Sequence, residues 1–253
     1  MSDALGTVAR TLSVLRIVAE AKSSVGVKDV ADALQLPMST SHRLLDLLLG
    51  EGFVQKDAAR RRYAIGSELS RLANLVSAKT SFSSLVQPLL DELTKETGET
   101  ALFATYLPAQ RAMTYTAKSD SPQPLRYRIN LHENLPLEWG ATGLAILAFL
   151  PEEIQAEVFV ASQASPATGR RLTRKAFYER LQIVKQDGFA VTESEKLPDS
   201  IGIAAPIETS PGHVIGSIGF TIPKVRFSRN KQKIFSELVC RASARVASRT
   251  PVT

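Results

Sequence analysis

The chain has 253 residues, 44% of them hydrophobic, with 13 Pro, 14 Gly and a single Cys. That composition excludes a disordered or collagen-like chain, and one cysteine excludes an intrachain disulfide. The net charge of +6 admits a polyanionic partner, and the lack of a signal-like segment or an apolar run of about 18 residues points to a cytoplasmic, non-membrane protein.

Thr7 to Ala21 carries Val8, Leu12, Leu15, Val18 and Ala19 at helical spacing, and Lys22 to Gly26 breaks it. Lys28 to Leu34 predicts a second helix, with Val30, Ala31 and Leu34 as its face. After a Leu36-Pro37 turn, Met38 to Gly50 predicts a third, closed by Gly50 and Gly52. Two β-prone pieces follow, Phe53 to Lys56 and Tyr63 to Gly66, around a polar loop that ends in Arg60, Arg61 and Arg62. Three helices and a hairpin make a winged helix-turn-helix over residues 1–66. Ser67 to Lys79 reads as a connecting helix over residues 67–79, with Leu69, Leu72, Ala73 and Val76 on one side. Residues 1–79 hold 11 Lys+Arg against 8 Asp+Glu, and residues 80–253 hold 20 against 17. Both excesses are therefore +3, so charge density is higher in the first third.

Residues 80–253 have a different texture. Leu85 to Thr97 predicts a helix with Pro88 in its first turn. Leu102–Leu107, Ala112–Ala117 and Leu125–Ile129 read as strands. Ala141–Leu150 is a short apolar helix, Pro151 opens another, and Arg174–Lys185 is helical. Phe189–Thr192, Ile201–Ile207 and Val214–Ile222 read as strands before a long basic helix over Phe227–Ala247. The expected fold class is α/β in two domains, the second a mixed sheet with helices.

In the third helix Ser41, Leu45, Leu48 and Leu49 fall on one face, and Ser39 and Arg43 fall nearly opposite. Thr40 and His42 flank them. Arginine can pair with guanine or hold a phosphate, and hydroxyls reach either. Ser39, Thr40, His42 and Arg43 are therefore the candidate DNA-reading residues; for His42, base contact, phosphate contact and packing stay open. Arg60, Arg61 and Arg62 at the hairpin tip would meet phosphate or the minor groove. Arg10 suits either a phosphate or helix packing.

Strand alternation puts Ile215, Ser217, Gly219 and Thr221 on one face. Such small and hydroxyl side chains suit a cavity wall or a close helix contact. Trp139 either lines a cavity or fills core, and Arg126 and Arg128 suit solvated edge charges more than carboxylate binding. No catalytic set emerges, so the chain is read as a non-enzyme without cofactor. His132 with Glu133 and Glu138 lacks a second histidine for a metal site.

The chain resembles the IclR family of bacterial transcriptional regulators over nearly its whole length. The resemblance rests on Val8-Ala9-Arg10-Thr11-Leu12, Leu36-Pro37-Met38-Ser39-Thr40-Ser41-His42-Arg43-Leu44-Leu45 and Gly52-Phe53-Val54. It continues through Tyr63-Ala64-Ile65-Gly66, Leu135-Pro136-Leu137, Gly143 to Ala148, Gly188-Phe189-Ala190 and Ala204-Ala205-Pro206-Ile207. It implies an N-terminal winged helix, a linker helix, a GAF-like effector-binding domain over residues 80–253, and a homodimer or a tetramer built as a dimer of dimers. The family's pocket maps onto Leu135, Ala141, Thr142, Gly202, Gly219 and Thr221, with Ser217 on the same strand face and Trp139 beside it. Met38, Glu138-Trp139-Gly140, Leu144 and Gly202 depart from the usual family residues, mostly around that pocket. The expected function is a ligand-responsive, sequence-specific DNA-binding regulator, a repressor. Its partners are a double-stranded DNA operator and a small organic effector, an aromatic acid or ester, held by a wall short on charge. A larger residue at Gly219 is expected to fill the cavity. The alternative is a small-molecule sensor or enzyme with a vestigial DNA-binding module.

Overall fold

The computed structural model describes residues 6–21, 23–57, 60–79 and 82–250, with the side chains of 76–79 and 82–85 outside that description. The chain divides into two compact units, residues 1–81 and 82–253.

The first unit runs α1 (Thr7–Glu20), α2 (Val27–Leu34), α3 (Met38–Gly50), β1 (Val54–Asp57), β2 (Arg62–Ile65) and α4 (Ser67–Lys79). Asp29 starts α2 by accepting the Gly26 N–H at 2.8 Å, one of the donors a helix leaves unpaired. Gln35 ends it in the left-handed region at φ 54°. Pro37 then precedes α3 and fixes the turn. The strands pair antiparallel from Val54↔Ile65 to Asp57↔Arg62, and Val25 bridges Tyr63 to tie the hairpin to the helices. Val14, Val18, Val30, Leu44, Leu45, Leu48, Val54 and Tyr63 form the core. On α1 the packed stripe is Val14 and Val18; of the residues at helical spacing Val18 is buried and Leu15 half-buried, whereas Val8 and Leu12 are exposed. The helical period holds but its phase is displaced, because the helix carries apolar residues around more than one face.

The second unit is a six-stranded sheet between two helical layers. Its elements are α5 (Phe82–Thr97), β3 (Thr100–Leu107), β4 (Ala112–Ser119), β5 (Leu135–Pro136), α6 (Ala141–Ala148), α7 (Glu152–Ala161) and α8 (Arg174–Asp187). They continue with β6 (Ala190–Glu193), β7 (Ser200–Ser210), β8 (His213–Pro223) and α9 (Arg229–Ala247). The strand order is β5-β4-β3-β8-β7-β6 and every pairing is antiparallel. The sheet is therefore not the mixed one expected: β3–β4 and β7–β8 are joined as hairpins, and hairpins enforce antiparallel pairing. On one face Phe103, Ile203, Ile218 and Phe220 pack with Leu90 of α5 and Val239 of α9. On the other, Leu102, Met113 and Tyr115 pack with α6 and with Phe177 and Leu181 of α8.

Three local features differ from expectation. Leu125–Ile129 is not a strand; the segment from 120 to 134 is irregular. Its alternating Leu-Arg-Tyr-Arg-Ile pattern mimics a strand, but Pro122 and Pro124 precede it and β5, not this segment, pairs with β4. Pro88 lies inside α5 because that helix begins at Phe82 rather than Leu85. Ile215 joins the α5/α9 side, away from Ser217, because the β7–β8 register shifts between Ile207 and Glu208 and a bulge resets the alternation.

Candidate recognition surface and ligand cavity

Helix α3 divides as its sequence demands. Ser41, Leu44, Leu45 and Leu48 are buried, while Ser39, His42 and Arg43 are exposed and Thr40 is half-buried. His42 is not a packing residue: its Nδ1 lies 2.8 Å from Asp46 Oδ2 one turn on, at the surface. The exposed face offers hydroxyl, imidazole and guanidinium groups on a rigid helix, the chemistry of groove readout.

The wing does not present its three arginines alike. Arg60 is largely exposed, its Nε 3.8 Å from Asp57 Oδ2. Arg61 is exposed, at φ 50° in the turn. Arg62, expected at the loop tip, is instead the first residue of β2. Its Nε donates to the Ser24 carbonyl oxygen at 2.9 Å, and its Nη2 lies 3.1 Å from Asp29 Oδ2. Strand pairing with Asp57 turns its side chain back onto α2, so two arginines, not three, face outward from the tip.

In the second unit a cavity of about 200 Å³ opens at the N-terminal end of α6. Leu135, Ala141, Thr142, Gly202 and Thr221 of the expected set line it. Trp139, Ser217 and Gly219 are not among its lining residues. Trp139 is buried with its indole N–H donated to the Gln163 carbonyl oxygen at 3.0 Å and with Arg180 5.7 Å over its ring. A buried indole must place its N–H, and the Gln163 carbonyl oxygen takes it. Ser217 donates to the Thr142 carbonyl oxygen at 2.9 Å, supporting α6 from beneath. At Gly219 a Cβ would stand 2.5 Å from the Ile203 carbonyl oxygen and 2.7 Å from Ala204 Cβ. That glycine serves strand contact, so a larger residue there strains the sheet instead of filling the cavity.

The cavity also holds groups that sequence reasoning missed. Tyr115 Oη shares a hydrogen bond with Thr142 Oγ1 at 2.9 Å, and burial pushes the phenol up to about 12, so it stays protonated. Lys196 lies 4.9 Å over the Tyr115 ring, its Nζ is fully buried without a hydrogen-bond partner among the described residues, and burial lowers its pKa to about 8. Thr192, Ser200, Asn130, Glu133 and Arg128 complete the polar lining. The wall is therefore not short on charge, as expected, but carries two cations and one carboxylate.

Residues 7–58 match the IclR helix-turn-helix domain, and residues 76–249 match the C-terminal domain of bacterial transcriptional regulators of the IclR type. This chain belongs to the IclR family of bacterial transcriptional regulators. As an IclR-family protein it is a DNA-binding transcription regulator with a C-terminal effector domain. It is 28% identical over 227 residues to the glycerol operon regulatory protein of Streptomyces griseus, covering 89% of this chain and 88% of the relative. Its fold matches that of a candidate IclR-type regulator from Silicibacter sp. TM1040, with a TM-score of 0.86 and 23% identity over 96% of each chain. It also matches an IclR homologue of Microbacterium hydrocarbonoxydans solved with 4-hydroxybenzoate, with a TM-score of 0.73 and 19% identity over 96% of this chain and 98% of that one.

In this IclR-family chain Arg126 lies outside the cavity, donating to the Gln123 carbonyl oxygen at 3.2 Å, while Arg128 lines it. Among the described residues no cluster of His, Cys, Asp and Glu has the makings of a metal site, and no helix is long and apolar enough to cross a membrane.

Proposed function

We propose that this regulator is a cytoplasmic repressor that reads a two-fold DNA operator as a homodimer, or as a tetramer of two such dimers, and releases it on binding a small organic effector. The observation that carries the reading is the split of α3, with Leu44, Leu45 and Leu48 buried and Ser39, His42 and Arg43 exposed. Arg43, Ser39, Thr40 and His42 face the groove, and Arg60 and Arg61 grip phosphate. A single recognition helix reads too few base pairs for an operator, so two-fold assembly follows from the task. Val8, Leu12 and Leu75 supply exposed apolar surface on the first unit for it.

The effector occupies the cavity at the start of α6. About 200 Å³ accommodates a small molecule instead of a drug-sized one. Tyr115, Leu135 and Ile129 give it an apolar wall that suits a compact aromatic acid or ester, and the Microbacterium relative's 4-hydroxybenzoate is of that size. Binding must favour one arrangement of the protein over another to change its affinity for DNA.

Mobility shift with operator fragments selected from genomic DNA, with and without candidate ligands, tests the reading. Specific retardation that a ligand relieves is expected. Retardation of all sequences alike, or none, contradicts it.

A further inference from the structure

We propose that Lys196 is the anion anchor of the cavity, so that the effector is a small organic acid held through its carboxylate and not the matching ester or amide. This deepens the effector-site reading and rests on it.

Lys196 sits in the loop between β6 and β7, which is closed by the Ser194 N–H bonding the Ser200 carbonyl oxygen at 2.7 Å. Ser194 and Asp199 both take the left-handed conformation, at φ 50° and 52°, so the loop doubles back over the start of α6. Its two central charges are sent in different directions. Glu195 is fully engaged: Arg180 Nη2 donates to both its oxygens at 2.8 and 2.6 Å, and the Gly140 N–H approaches at 3.4 Å. Lys196 lies against Gly140, its Cδ 3.3 Å from where a Cβ would stand, and lines the cavity.

An ammonium removed from water needs a counter-charge or acceptors, because desolvation is costly and unpaired buried charges are rare. Lys196 Nζ has none among the described residues. The Tyr115 ring face offers a weak substitute at 4.9 Å. The Tyr115 hydroxyl is taken by Thr142. Glu133, the carboxylate of the wall, is exposed and accepts from Asn130 Nδ2 at 3.0 Å. Burial lowers the Lys196 pKa only to about 8, so the group remains largely cationic at neutral pH. Arg128 adds a second positive charge to the same wall, and Gly140, Ala141 and Thr142 bring the positive end of α6 to it. A carboxylic acid brings that positive wall a counter-charge. An ester or amide of the same shape leaves the ammonium without its counter-charge.

The test is calorimetry on the full chain with benzoate and 4-hydroxybenzoate against their methyl esters and amides. The parent protein is compared with Lys196→Met, Lys196→Arg and the cavity-filling Thr221→Leu. The expected result is that acids bind about 10- to 100-fold more tightly than their neutral counterparts. Lys196→Met should erase that preference, Lys196→Arg should keep part of it, and Thr221→Leu should weaken acids and neutral analogues alike. Neutral analogues binding as well as acids overturns the anchor, as does no acid binding at about 10 mM. If Thr221→Leu abolishes binding while Lys196→Met keeps the acid preference, the anchor fails and the effector site stands. If neither variant alters acid binding, the site itself is misplaced and the anchor falls with it.

Discussion

Arg62 Nη2 lies 3.1 Å from Asp29 Oδ2, and the same guanidinium donates to the Ser24 carbonyl oxygen, fastening the wing to the start of α2. The Asp29 carboxyl is held below its ordinary range, first by the Gly26 N–H and then by Arg62. A depressed carboxylate pKa contributes stability above the unfolded pKa that is lost as pH falls through the folded one. Arg62→Ala should therefore cost about 1–2 kcal/mol at neutral pH, given that the pair is half-exposed and the Ser24 bond goes with it. The gap in thermal stability between parent and variant should narrow as pH drops below about 4, and the part owed to the Ser24 bond should remain. Equal stability at neutral pH would contradict the fastening.

Arg60 and Arg61 carry the outward charge of the wing, so the double alanine variant should weaken binding to all DNA sequences. Removing one phosphate-bound arginine should flatten the slope of log K against log salt by about 0.9. Arg62 is left in place so that the readout is not confounded by folding. An unchanged slope from anisotropy titrations across a salt series would take the wing off the DNA.

Much of this was legible from local pattern. The ends of α3 and α4 fall where Gly50, Ser67 and Lys79 put them, and β7 and β8 were visible as apolar runs. What was hidden depends on residues distant in sequence. Lys196 reads as one charge in the polar run Glu193-Ser194-Glu195-Lys196, and only the fold of that loop over α6 carries it to Tyr115. Tyr115 reads as an ordinary strand aromatic until Thr142 meets its hydroxyl. Trp139 drew attention by being the only tryptophan, yet its position answers the need to pair a buried N–H with Gln163. Val8 and Leu12 share helical spacing with Val18, but spacing gives a stripe without saying which part of it a neighbour covers.

Gly219 and Thr221, two residues apart on β8, should respond in opposite ways. Gly219→Ala places a methyl against the Ile203 carbonyl oxygen and Ala204, and overpacking of this kind costs about 1–3 kcal/mol. Thr221→Leu extends into the cavity and should leave the melting temperature nearly unchanged while blocking ligand. Denaturant melts of both variants, with ligand calorimetry on the second, check the pair. A stable Gly219→Ala protein would show that the strand contact is looser than its geometry indicates.

Oligomerisation should involve the exposed apolar side chains of the first unit. The protein is expected to sediment as at least a dimer at micromolar concentration. Leu69 and Leu72 of α4 are half-buried and Leu75 is exposed, while the Val76 side chain lies outside the described residues. The double variant Leu12→Glu, Leu75→Glu should shift the protein toward monomer by placing charge where apolar contact is needed. A parent protein that sediments as a monomer would contradict two-fold operator reading.

The exposed face of α3 should read DNA sequence, and Arg43 is the side chain on which that reading most depends. Arg43 is exposed and opposite the buried leucines, so Arg43→Ala should leave fold and assembly intact. In a direct binding titration against the selected operator, the expected result is a loss of about 1–3 kcal/mol, roughly 5- to 150-fold, with binding to unrelated DNA much less affected. An Arg43→Ala protein that binds the operator as tightly and as selectively as the parent would contradict the assignment of α3 as the reading helix.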